Sequence, residues 1–298
     1  MVKSIKWETL GNLVHLDISN MRLSFSSMLN FLSSLNRNLR YLCIQNIHLH
    51  SYNRSHEDNL QGSFHLIQTR CSYLSMLFTN HSISIHLFEN HKSFLRGNSG
   101  FPELRYFRFE DHFSRIKLNW IVFQYCCEKS PKLEEIHFVD NNSNQETIRH
   151  VAKSIGSLLS RPTLRTLFIK SNVALYEADD DRFLELFNCS NQKPKLENLS
   201  LLIPDLKLSV IGQFINGNFN MKKLSLDERL WTLNKRETFE TNFLEILTCD
   251  HGIEEIQFVK HGWLKPWSTL DERWMDRTIF RNEFPELVSY LVKKSQQK

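Results

Sequence analysis

The sequence is poor in the residues that build most catalytic loops and metal sites. Glycine occurs only 9 times in 298 residues, with no phosphate-cradling glycine loop, and neither G-x-S-x-G nor H-E-x-x-H occurs. These absences remove the recognisable routes to an enzyme, so neither catalysis nor a cofactor is expected. The six cysteines (Cys43, Cys71, Cys126, Cys127, Cys189 and Cys249) contain no C-x-x-C pair, which argues against a disulfide framework and a zinc site. Cys71, Cys126, Cys189 and Cys249 fall at or beside apolar positions, which predicts reduced, buried thiols. There is no apolar run of membrane-span length and no secretory signal in MVKSIKWETLGNLVHLDIS. A cytoplasmic or nuclear location without membrane association is therefore expected. Charge of neither sign dominates: 37 basic against 33 acidic residues leave +4, too little and too evenly spread for a phosphate-backbone binder. Nucleic acid is not an expected partner.

What the chain does have is rhythm. Leu164-Arg165-Thr166-Leu167-Phe168-Ile169-Lys170-Ser171-Asn172 fits the pattern L-x-x-L-x-L-x-x-N at every marked position. Apolar residues return at positions one, four and six in Leu13/Leu16/Ile18, Leu39/Leu42/Ile44, Cys71/Leu74/Met76, Leu104/Phe107/Phe109 and Leu133/Ile136/Phe138. They continue in Leu164/Leu167/Ile169, Leu196/Leu199/Leu201, Met221/Leu224/Leu226 and Ile253/Ile256/Phe258. None of these 27 positions is polar, although only 41% of the chain is hydrophobic, so chance does not account for the pattern. Successive starts fall 25 to 33 residues apart, the length that one strand, one helix and two turns require.

On these residues the chain resembles the leucine-rich repeat superfamily over roughly residues 13 to 261. Repeats near 30 residues are similar to the long intracellular type of ribonuclease inhibitor and of F-box substrate receptors. The resemblance implies an α/β fold: a right-handed solenoid, or horseshoe, of about nine repeats with a parallel sheet on the concave side and helices on the convex side. It departs from the family at position nine, where only Asn141 and Asn172 supply the expected residue, and in the lack of an F-box. Residues 1–12 read as a short N-terminal flank that covers the first repeat thinly, which leads one to expect a fragment or short form of a longer protein. Residues 262–298 read as a C-terminal cap. Trp263, Trp267 and Trp274 cluster there, and Phe284, Leu287, Val288, Leu291 and Val292 trace the stripe of an amphipathic helix.

Within the repeats, Phe25, Met28, Leu29, Leu32 and Leu35 recur at helical spacing after the first strand. Further helices are expected at 119–129, 145–159 and 236–247. The third repeat admits two registers. A start at Cys71 puts Met76 at position six, whereas a start at Leu74 puts polar Thr79 there; the apolar rule selects Cys71. Asp179-Asp180-Asp181 reads as the acidic first turn of a helix rather than a cation site, and His48 with His50 lacks a third ligand. No metal is expected.

Strand side chains alternate, so with four and six in the core, positions three and five look outward. Position three then reads His15, Tyr41, Tyr73, Tyr106, Glu135, Thr166, Asn198, Lys223, Glu255. Position five reads Asp17, Cys43, Ser75, Arg108, His137, Phe168, Ser200, Ser225, Gln257. The expected partner-binding patch is Tyr41, Tyr73, Tyr106, Arg108, His137 and Phe168, residue types over-represented among binding hot spots. A tyrosine ladder also stabilises a sheet in its own right. The resemblance implies a protein-protein interaction module. LVHLDIS at residues 13–19 is similar to repeats of cullin-RING ubiquitin ligase receptors, so substrate recognition with a cullin-ligase adaptor is the expected role. A scaffold or inhibitor of the ribonuclease-inhibitor kind is the alternative.

Overall fold

The computed structural model describes residues 12–44, 47–50, 71, 74, 76–80, 101–111, 127–140, 159, 161–171, 195–204, 206–217, 220–227, 229–232, 236–247 and 252–259. The chain divides into two compact units, Met1–Asn142 and Ser143–Lys298. Both are α/β and built on parallel strands, with one main-sheet strand for each expected repeat and a second pair, between residues 22 and 50, beside them in the first unit.

In the first unit the elements run β1 (His15–Asp17), β2 (Arg22–Ser24), α1 (Phe25–Ser34), β3 (Tyr41–Cys43), β4 (His48–His50), β5 (Met76–Asn80), β6 (Tyr106–Asp111) and β7 (Glu135–Asp140). Five of them form a sheet in the order β1-β3-β5-β6-β7, while β2 and β4 pair separately. Parallel neighbours require a crossover between strands, which α1 supplies after β1. Ser24 starts that helix by accepting the Ser27 N–H at 3.1 Å. The face that α1 buries carries Met28 and Phe31, with Leu35 buried just past its end; Phe31, absent from the expected stripe, is fully buried.

The second unit contains β8 (Thr166–Ser171), β9 (Asn198–Leu202), α2 (Leu208–Gly217), β10 (Lys223–Asp227), α3 (Arg229–Thr232), α4 (Arg236–Leu247) and β11 (Glu255–Val259). Its sheet runs β8-β9-β10-β11. The helix expected at 236–247 is present, and Phe239 and Phe243 stack at 5.5 Å and meet Phe258 of β11 edge-on at 5.9 and 6.1 Å. α2 was not expected. Gly212 lets it approach α4, because a Cβ there would lie 3.2 Å from Ile246 Cγ1. Asp227 is fully buried and caps α3, accepting bonds from the Arg229 backbone N–H at 2.9 Å and from its guanidinium at 3.0 and 2.7 Å.

From the fourth repeat on, positions one, four and six are buried as expected, while Leu13 and Leu16 of the first repeat are only partly so. Leu42, Phe107 and Ile136 of the first unit and Leu167, Leu199 and Leu224 of the second are fully buried. Within each unit, position two links neighbouring repeats. The Arg105 carbonyl accepts the N–H groups of Glu134 and Glu135 at 2.8 and 2.9 Å, and the Glu197 carbonyl those of Lys222 and Lys223 at 2.8 and 3.0 Å. Side chains reinforce it with opposite charges, as in Arg105–Glu134 at 2.6 Å and Arg165–Glu197. Such exposed pairs add little stability, but they penalise a slipped register.

The third repeat corrects the sequence reading. Tyr41 pairs with Met76, Leu42 with Leu77 and, on the far side, Leu77 with Phe107. The repeat therefore starts at Leu74, with Thr79 at position six opposite Phe109. The physical reason lies in the entering turn. Leu74 N–H bonds the Cys71 carbonyl at 2.9 Å, as Leu104 bonds Phe101 and Leu133 bonds Ser130, so Cys71 is the turn residue that precedes a repeat. Met76 accordingly faces outward, 42% exposed, while Leu77 is buried. Met76→Gln is expected to change the unfolding free energy by no more than about 0.5 kcal/mol, and Leu77→Ala to cost about 2–5 kcal/mol in urea titrations. The Cys71 register requires a substantial loss from Met76→Gln.

Cys43, Cys71 and Cys127 are buried free thiols. Cys126, Cys189 and Cys249, the 119–125 part of an expected helix, the Asp179–Asp181 triplet and the 262–298 cap lie outside the described residues. Among the described residues, no helix is long and apolar enough to cross a membrane.

Candidate functional site

The outer face of the first unit's sheet brings five position-three side chains into one column: His15, Tyr41, Met76, Tyr106 and Glu135. Adjacent strands set the rungs about 4.8 Å apart. His15 lies flat on Tyr41, ring centroids 3.7 Å apart and 8° from parallel. Tyr106 meets His137 of the neighbouring position-five column at 5.0 Å and 36°. Met76 sits between the two tyrosines and is the exposed member. The predicted ladder of three tyrosines is thus a Tyr-Met-Tyr strip. Tyr73, displaced from the column by the register, lies outside the described residues.

Position five supplies Asp17, Cys43, Arg108 and His137 to the same face. Arg108 turns along its own strand: Nε and Nη2 both donate to Glu110 Oε1, at 2.9 and 2.5 Å. Both side chains are largely shielded, 16% and 12% exposed, so Arg108 stiffens the patch and its charge is answered locally. His137 Nε2 lies 2.6 Å from Glu135 Oε1. These two-residue links run along one face of a strand, as a period of two dictates.

Burial pushes the Tyr106 phenol up to about 12, helped by the Glu135 charge and opposed by Arg108. Burial also raises Tyr41, with Cys43 and Asp17 acting the same way. Both phenols are protonated hydrogen-bond donors at neutral pH. At Asp17 burial disfavours the charge, but hydrogen bonds from Ser19 and Cys43 outweigh it and hold the carboxyl below its ordinary value. The face is therefore a rigid aromatic strip with an ionised carboxylate at its β1 side. Among the described residues no group of three or more His, Cys, Asp or Glu is placed to hold a metal ion.

Phe168, the remaining expected site residue, belongs to β8 in the second unit and is only 8% exposed. The second unit's outer face is polar, with Thr166 and Asn198 bonded at 3.2 Å and Ser225 reaching Gln257 at 3.5 Å. Met76 is the site residue that sequence reasoning misplaced; the turn formed at Cys71 was the signal for its true position. The chain matches no protein-family model and no curated protein.

Proposed function

We propose that the chain is a protein-interaction module whose repeats form a right-handed leucine-rich repeat solenoid, with the strands on its concave side. Its partner binds the first unit's outer face through Tyr41, Met76 and Tyr106, with Arg108 and His137 beside them. The observation that carries this reading is the strip itself: aromatic and thioether groups held in fixed register beside prepaired polar side chains. Little ordering entropy is left to lose on binding such a surface. Strand backbones and core packing position these side chains, so the platform does not depend on loops.

The more specific role, substrate recognition for a cullin-RING ubiquitin ligase, is supported by the likeness of LVHLDIS to repeats in such receptors. A pull-down with the full chain, followed by mass spectrometry, tests it. Recovery of cullin adaptors along with a substrate supports the receptor role. One stoichiometric partner without adaptors selects the scaffold or inhibitor role instead, and no partner sensitive to Tyr106→Ala refutes the interaction surface.

A further inference from the structure

Across positions three, five and seven of the first unit's sheet, the outer face bears one guanidinium and three carboxylates: Arg108 against Asp17, Glu110 and Glu135. Arg108 and Glu110 answer each other at 2.5 Å. That leaves Asp17 in β1 and Glu135 in β7, on opposite sides of the Tyr41–Met76–Tyr106 strip. Glu135 is 39% exposed even while it meets His137, and Asp17 is exposed as well. An aromatic surface bounded by carboxylates suits a cation, because ring faces and carboxylates attract the same charge. A thioether between the rings packs against the aliphatic stem of a long basic side chain. An acidic ligand meets repulsion here, and a purely apolar one would cover Asp17, bonded by Ser19, and Glu135, bonded by His137, without bringing either a cation.

We propose that the strip receives arginine or lysine side chains from an extended basic segment of the partner, laid over Tyr41, Met76 and Tyr106, one toward Asp17 and one toward Glu135. This rests on the binding face assigned above and names the chemistry of what binds there.

The test uses the full chain carrying 13C-methyl methionine. Six methionines give a sparse spectrum, and Met76→Leu identifies the relevant signal. Acetyl-Arg-Leu-Arg-amide is titrated to millimolar concentration beside acetyl-Glu-Leu-Glu-amide. The Met76 methyl is expected to shift saturably with the basic peptide and not with the acidic one. Tyr106→Ala abolishes the shift, Asp17→Asn and Glu135→Gln each weaken it about fivefold, and Glu255→Gln in the second unit leaves it unchanged. Melting temperatures identify any variant that fails to fold, and Asp17→Asn and Glu135→Gln back each other up. A silent Met76 methyl, an equal response to the acidic peptide, or full binding by both carboxamide variants overturns the proposal. If the natural partner still depends on Tyr106 while Met76 ignores the basic peptide, the binding face stands and only its cationic specificity falls.

Discussion

Replacing Phe109 with alanine should lower the unfolding free energy by about 3–5 kcal/mol, the range for deleting a buried aromatic ring whose surroundings relax only in part. Phe109 is fully buried at position six of β6. It stacks on Phe138 of β7 at 6.1 Å, nearly parallel, and leans on Phe107 at 6.3 Å. Thr79 is its register partner in β5. A loss of this size is a large part of the 5–15 kcal/mol that stabilises an ordinary domain. Urea unfolding followed by circular dichroism measures it. A loss below about 1 kcal/mol, the ordinary scale of a point mutation, would mean that the stacked phenylalanines do not form the core of the repeats.

The second large effect is on binding. Tyr106→Ala should weaken capture of the partner about thirtyfold, or about 2 kcal/mol, because it removes a half-buried ring at the β6 end of the strip together with its contact to His137. Glu255→Ala, an exposed residue of β11, should leave affinity unchanged. Melting temperature separates two roles for the tyrosine. A purely structural ring lowers stability and leaves the affinity of the still-folded protein intact, whereas a binding anchor costs affinity at any temperature below unfolding. An unchanged dissociation constant for Tyr106→Ala by calorimetry contradicts the site.

Much of the fold was legible because strand periodicity is rigid. Eight of the nine expected registers place apolar residues as the strands do, and His15, Tyr41, Tyr106, Arg108 and His137 stand on one outer face as alternation requires. The third repeat was misread because its position six is Thr79, and a rule that admits only apolar residues slides the frame back to Cys71. Threonine is β-branched and fits a strand, so the backbone tolerates what the rule forbids. Entry turns were the better guide: Phe101-Pro102, Ser130-Pro131 and Arg161-Pro162 each precede a repeat, and proline fixes the backbone at that point. α2 escaped notice because Gly212 weakens a helical pattern, yet a Cβ there would crowd Ile246 at 3.2 Å. The pairing of Arg108 with Glu110 also lay beyond the sequence reading. Two residues apart on a strand, they share a face, but only the structure shows that the guanidinium bonds its neighbour.

The central claim is that partners seat on the strip of the first unit, and position 76 lies in its middle. Benzoylphenylalanine in place of Met76, in the full chain with the purified partner, reports contact there directly on irradiation, with Glu245 of α4 as the comparison site. The account predicts a partner adduct at position 76 that excess unmodified chain suppresses, and none at position 245. Adducts at position 245 with none at position 76 would place the partner on the helices and contradict it.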